Sequence, residues 1–245
     1  MKKISTGIKK LDEILGGGLL PSSNVIIIGA TGAGKTVLST AIAAKSGNTI
    51  KHQGIIFDYE NPRIIMEYAR KMYNWPIRML RKINEGYYEN KDNPSGKEII
   101  NGNHSPYYNF HNKVVTTRED GFISSNKNGK NCIIFDGLEI DFSLEDMLYL
   151  ENHVRKNEGL KEICLVFSKT SYYRNIFEIV NASVSKGGLD SKADTILALG
   201  YLPINHSNPM QKKALAVIKH RRSKYDGNLY VYNIGKTGLE VGERV

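Results

Sequence analysis

Cysteine is scarce in this sequence, with only Cys132 and Cys164 among 245 residues. Both sit inside apolar runs, Cys-Ile-Ile-Phe and Ile-Cys-Leu-Val-Phe. They read as small buried residues rather than as a disulfide framework or a thiolate metal site, which implies a reducing compartment. Long hydrophobic stretches are missing as well. The apolar runs are strand-sized and fall short of the roughly 18 residues that a membrane-spanning helix needs. Lys2 and Lys3 open the chain, but Lys9, Lys10, Asp12 and Glu13 interrupt any apolar core before a signal peptide can form. The expectation is a soluble, cytoplasmic protein with no membrane partner.

Acidic residues are also in short supply, 25 Asp and Glu against 34 Lys and Arg, for a formal net charge of +9. That balance favours acidic partners, nucleic acid first among them. Basic residues that merely decorate a solvated surface give the same number. The excess is uneven. Between Arg63 and Lys82 there are six basic residues and one acid, and from Tyr201 to Val245 eight and three. The polar middle, Asn84 to Asn131, is balanced at six of each.

What is present is an alternation of strand-like and helix-like segments. Val25–Ile28, Ile55–Phe57, Cys132–Phe135, Ile163–Phe167 and Ala193–Leu199 are short apolar runs of the kind that fill parallel strands covered on both faces. Helical character follows in Thr36–Lys45, from Pro62 to about Tyr73, in Ile77–Ile83 and in Leu144–Val154. Leu215–Ile218 and Leu229–Ile234, split by a polar turn with Asp226-Gly227, form an expected C-terminal β-hairpin. The pattern implies one α/β domain over 1–245, a mainly parallel sheet flanked by helices. The stretch at about 84–131, rich in Asn, Gly, Tyr and Lys, is expected to be a loop-rich excursion; a loop of that length inside a compact domain is more often functional or mobile than idle.

One motif carries strong chemical information. Gly29-Ala30-Thr31-Gly32-Ala33-Gly34-Lys35-Thr36 matches the phosphate-loop pattern of glycines followed by Lys and Thr. Glycines let the backbone wrap so that its N–H groups point at phosphates, and the following helix adds its positive end. ATP with Mg²⁺ is the implied ligand, Lys35 reaching the β- and γ-phosphates and Thr36 placing its hydroxyl on the metal. A second metal-side carboxylate is expected from another strand end, and Asp136, directly after Cys-Ile-Ile-Phe, suits it. Hydrolysis needs a carboxylate near the attacking water; Glu60 is the candidate, with Asp58 two residues earlier as the alternative. Lys169-Thr-Ser-Tyr-Tyr-Arg174 interleaves aromatics and positive charge in a way that suits single-stranded DNA.

Several segments together resemble the RecA-like ATPases of the KaiC, RadA and DnaB group. Ile4-Ser-Thr-Gly through Gly18 resembles their entry segment, and Phe57-Asp-Tyr-Glu-Asn-Pro62 resembles a KaiC-type domain. The tail Val217-Ile-Lys219-His-Arg221, with Leu229–Ile234 and Gly238-Leu-Glu-Val, is similar too. The resemblance implies an ATPase that assembles with copies of itself into a hexameric ring or a filament. In it Lys219 and Arg221 would reach the neighbouring subunit's γ-phosphate, with Arg222 adjacent. A solvated basic turn is the plainer reading of the same residues. Tyr59 stands where KaiC-type domains often carry the first of two glutamates. That departure supports the alternative of a nucleotide-controlled switch that hydrolyses little and touches no DNA. Ser168-Lys169-Thr170 occupies the place where DnaB-type helicases carry a γ-phosphate-sensing Gln.

Overall fold

The computed structural model describes residues 3–46, 52–58, 70–72, 78–84, 87–90, 93–99, 113–116, 130–138, 141–157, 162–183, 191–204 and 211–245, together with residues 67 and 188. In chain order the elements are α1 (Lys9–Ile14), β1 (Asn24–Gly29), α2 (Lys35–Ser46) and β2 (His52–Asp58). Then come β3 (Arg78–Asn84), β4 (Tyr87–Asn90), β5 (Asn93–Ile99), β6 (Lys113–Thr116) and β7 (Lys130–Leu138). The chain continues through α3 (Leu144–Asn157), β8 (Glu162–Thr170), α4 (Ile176–Ser183) and β9 (Thr195–Tyr201). It ends with β10 (Lys213–His220), β11 (Leu229–Gly235) and β12 (Gly238–Arg244).

All described strands join one sheet in the order β12-β11-β10-β9-β1-β8-β7-β2-β6-β3-β4-β5. The five central strands from β9 to β2 run parallel, and antiparallel strands extend both sides. β1 lies in the middle, its side chains alternating between two cores. Val25 and Ile27 join α1 and α2 residues such as Leu11, Leu15, Leu38 and Ile42 on one face. Ile26 meets Phe135, Phe167 and Met147 of α3 on the other. A strand covered on both faces has to be apolar at every position, which is why Val-Ile-Ile-Ile precedes the glycine loop. Cys132 and Cys164 are both fully buried free thiols. Among the described residues no helix is long and apolar enough to cross a membrane.

The expected central strands and the C-terminal hairpin are present, the hairpin gaining β12 as a third strand paired to β11. The helix expected at Ile77–Ile83 is instead strand β3, paired antiparallel to β4 and β6. Local helix preference is worth only tenths of a kcal/mol per residue, and partners on both sides offer β3 a full ladder. Within the excursion at about 84–131, β4, β5 and β6 extend the sheet; Pro94 sits on the edge strand β5, where a missing N–H does no harm. Residues 67 and 70–72 are helical. The rest of the helix expected from Pro62 lies outside the described residues.

Candidate functional site

β1 delivers the glycine loop at its carboxyl end, where Gly29 pairs with Thr170 of β8 and Leu199 of β9. Chain wrapping starts at once, with the Ala30 N–H on the Leu199 carbonyl at 3.3 Å and the Ala33 N–H on the Ala30 carbonyl at 3.1 Å. Gly34 adopts φ +97°, a conformation that favours glycine, while the 2.4 Å approach of a Cβ there to Ile234 Cδ1 of β11 involves the movable end of that side chain. Lys35 folds back over the loop, its Nζ donating to the Ala30 carbonyl at 3.2 Å. Thr31 and Gly32 stay exposed at the rim, and the first turn of α2 carries no acidic side chain. The helix end therefore presents its N–H dipoles with no acidic side chain in its first turn, an arrangement suited to an anion.

Asp136, at the end of β7, closes the site from the next strand but one. Its carboxyl is buried and accepts the Thr36 hydroxyl at 2.6 Å and the Ser39 hydroxyl at 2.9 Å. The sequence pointed to Thr36 and Asp136, whereas Ser39 stood unremarked inside a helical run. Its signal was spacing: three residues past Thr36 it falls on the same helix face. Tyr232 was also missed. From β11 its buried hydroxyl donates to the Ala33 carbonyl, bracing the loop from behind, and burial holds the phenol far above its ordinary range so that it stays a donor. Thr36 and Asp136 suit Mg²⁺ chemically, a pair of hard oxygens of the kind that holds this ion together with phosphates and water.

Asp58 pairs with Asp136 in the β2–β7 ladder, so the backbone of β2 reaches the same edge of the sheet. Glu60 and Tyr59 lie outside the described residues. Ser168 Oγ is buried with no hydrogen-bond partner. Lys169 is half-buried with its ammonium on the Phe142 carbonyl at 2.6 Å, and burial lowers its pKa. It is thus tied to the start of α3 and is not presented beside the tyrosines, in contrast to the charged stretch read from sequence. Tyr172 is 80% exposed and Tyr173 is exposed beside it. Their neighbours touch the loop region: the Ser171 N–H donates to the Gly29 carbonyl at 2.9 Å, and the Arg174 guanidinium lies 5.2 Å from the centre of the Tyr201 ring.

The basic tail lies elsewhere. His220 pairs with Thr195 at the beginning of β9, and the Arg221 N–H donates to the Asp194 carbonyl at 2.8 Å. Asp194 in turn is bonded to Asn24, the first residue of β1. Arg221 therefore stands at one end of β1 and the glycine loop at the other, five steps apart or roughly 16 Å at about 3.3 Å per residue. Its guanidinium donates to the Ser191 carbonyl at 3.0 Å, and Arg222 bonds Asp194 Oδ1 at 3.1 Å.

A family model described as the KaiC ATPase matches residues 4–101, which include the entry segment, the glycine loop and β2. The circadian clock oscillator protein KaiC of Acaryochloris marina is 25% identical over 98% of this chain, and that of Prochlorococcus marinus 27% over 98%. A KaiC-like protein of the archaeon Pyrococcus horikoshii superimposes with a TM-score of 0.60 at 19% identity, covering 98% of this chain and 99% of its own. The chain is similar to the KaiC ATPase domain in sequence and shares its fold with the archaeal KaiC-like protein. It spans 42% and 43% of the length of the two cyanobacterial relatives. In Synechococcus elongatus KaiC, 73 residues are 36% identical, covering 30% of this chain and 14% of that protein.

The segment bearing the basic pair has a buried histidine at its centre. His220 Nδ1 is 2.8 Å from Thr195 Oγ1, Nε2 has no well-formed hydrogen bond, and the Tyr225 ring stands edge-on to the imidazole. Burial, reinforced by the charge of Lys3, lowers its pKa below 6.5, while the Leu15 carbonyl and Asp194 oppose the shift. The unfolded chain then takes up the proton more readily than the folded one, so stability falls as pH drops below about 6.5. A His220→Asn variant should lose less stability than the wild type between about pH 7.5 and about pH 5.5. Urea midpoints across that range test this, and parallel pH profiles would remove His220 from the explanation.

Proposed function

We propose that this domain binds ATP with Mg²⁺ in the loop Gly29–Thr36 and hydrolyses it at a site shared with a second copy of the chain. The observation that carries the nucleotide reading is the pairing of Thr36 and Asp136 at the mouth of the loop, 2.6 Å apart. The bound metal would neutralise phosphate charge, with the Thr36 hydroxyl and Asp136 as its protein-side oxygens. Lys35 would swing from the Ala30 carbonyl to the β- and γ-phosphates, and Glu60 would orient the attacking water. Lys35→Ala should abolish ATP binding or turnover. Glu60→Gln should bind ATP but turn it over at least a hundredfold more slowly, about the effect of one acid–base group. Equilibrium binding and phosphate release separate the two, and full turnover in Glu60→Gln would remove that residue from the chemistry.

The distance between Arg221 and its own chain's loop supports the shared-site reading. A cation one strand's length away can serve a phosphate only if that phosphate belongs to a neighbour, as in a ring or filament. Lys219 and Arg221 would then stabilise the charge that develops on the transferred phosphoryl group. Arg221→Ala should lower turnover by about 10³-fold and leave the nucleotide affinity of the dilute chain unchanged. Weakened ATP binding at concentrations where only monomer exists would contradict the role in trans.

Exposure of Tyr172 and Tyr173 beside Arg174 favours a further reading, in which the assembly acts on single-stranded DNA. Stacking on such rings is sequence-tolerant and worth about 1–3 kcal/mol per base. Binding to a labelled oligonucleotide should weaken steeply with salt and drop about tenfold or more in Tyr172→Ala. Absence of binding at low salt would favour instead a nucleotide-controlled switch that touches no DNA.

A further inference from the structure

Two segments that lie 220 residues apart in sequence meet at the basic turn. Lys3 Nζ donates to the Leu15 carbonyl at 2.9 Å and to the Gly16 carbonyl at 2.8 Å, and also contacts Ser223 Oγ. Ser223 Oγ lies 3.4 Å from the same Leu15 carbonyl, and the Asp226 N–H donates to the Ile14 carbonyl at 2.9 Å. At Gly16, with φ +61°, a Cβ would come within 2.5 Å of the Lys224 carbonyl oxygen, so the two backbones touch directly. The end of α1 is thus bound to the turn between β10 and β11 by a side chain, a hydroxyl and the main chain together.

The far side of the turn is fixed as well. Arg221 is held through its N–H by Asp194, and Arg222 takes a left-handed φ of +55° while its guanidinium pairs with the Asp194 carboxylate. A side chain in that region is held against steric preference. Within the turn, the Tyr225 hydroxyl donates to the Ile218 carbonyl at 3.1 Å, and Asp226 accepts from the Asn228 N–H at 2.9 Å and the Tyr230 hydroxyl at 2.6 Å. A basic turn that only decorates the surface requires none of this. A turn that must hold cations at a set angle to another subunit requires all of it.

We propose that Lys3 is a positioning residue: by tying the end of α1 to Ser223, it fixes the turn that orients Lys219 and Arg221 toward the neighbouring subunit's nucleotide. The inference rests on the shared-site reading above. Lys3 touches no substrate in this role and acts only through the turn. It gives the entry segment a part in catalysis by the adjacent subunit, besides its packing against its own sheet.

Lys3→Met keeps the aliphatic stem and removes the three N–H donors. In the isolated chain, amide exchange at Arg221 and Asp226 should accelerate roughly tenfold, in line with losing charge-assisted hydrogen bonds. Exchange along Lys35–Ser46 and nucleotide affinity should stay unchanged. No acceleration, or equal acceleration across the sheet, would overturn the inference whatever the fate of the shared site. In the assembly, Lys3→Met should lower turnover, and mixing it with Lys35→Ala subunits should restore part of it. The Lys35→Ala chain has an intact turn to lend to the intact loop of its neighbour. Arg221→Ala mixed with Lys35→Ala should recover likewise. Recovery in that mixture but not with Lys3→Met overturns the role of Lys3 alone; failure of both overturns the shared site itself.

Discussion

A parallel strand has two ends that cannot meet, and β1 makes that constraint felt throughout this domain. Its carboxyl end, at Gly29, is gripped between Thr170 and Leu199; its amino end, at Asn24, is bonded to Asp194. Because the neighbouring central strands run the same way, their carboxyl ends gather the glycine loop and Asp136 at one edge. The antiparallel β10 runs the other way beside β9, and so delivers Lys219, His220 and Arg221 to the opposite edge. The glycine loop and the basic turn of one chain are separated by the sheet that builds both. In the proposed function, a phosphate held by the loop would meet such a turn only from another copy.

At the carboxyl edge the loop is braced from several strands. β7 supplies Asp136, which binds Thr36 and Ser39 of α2; β11 supplies Tyr232 against the Ala33 carbonyl; β9 supplies the Leu199 carbonyl for the Ala30 N–H. A buried carboxyl left without partners costs at least about 1–3 kcal/mol, so the hydroxyls of Thr36 and Ser39 are needed to tie α2 to Asp136 of β7. In the proposed function, a loop braced in this way before any ligand arrives would bind it at a lower ordering cost. The same edge carries Ser171 and Tyr201 next to the loop, so the exposed Tyr172 and Tyr173 sit within two residues of a group bonded to Gly29.

The parts of the fold that could be read from sequence are those in which local pattern and tertiary demand agree. Val25–Ile28 is apolar at every position because both faces of β1 are covered, and Gly32 and Gly34 of the loop that follows take positive φ values that other residues rarely adopt. Asp136 was legible for the same reason, as the first polar residue after a buried strand. Ser39 and Tyr232 were not, since a serine in a helix and a tyrosine in a strand are ordinary until the opposing element is known. β3 misled because Arg-Met-Leu-Arg-Lys of its sequence favours a helix locally, and pairing with β4 and β6 overrides that preference. Lys169 misled in another way. A lysine beside tyrosines suggests a charged surface, but the apolar walls around it draw its stem inward to the Phe142 carbonyl.

The central claim is that one chain carries only half of a working site, and dilution tests it most directly. ATP turnover per chain should be measured with Mg²⁺ over a range of protein concentrations, with particle mass followed in the same samples. The account predicts that turnover per chain collapses as assemblies dissociate, while dilute chains still bind nucleotide. Turnover per chain that stays constant down to the monomer would contradict it.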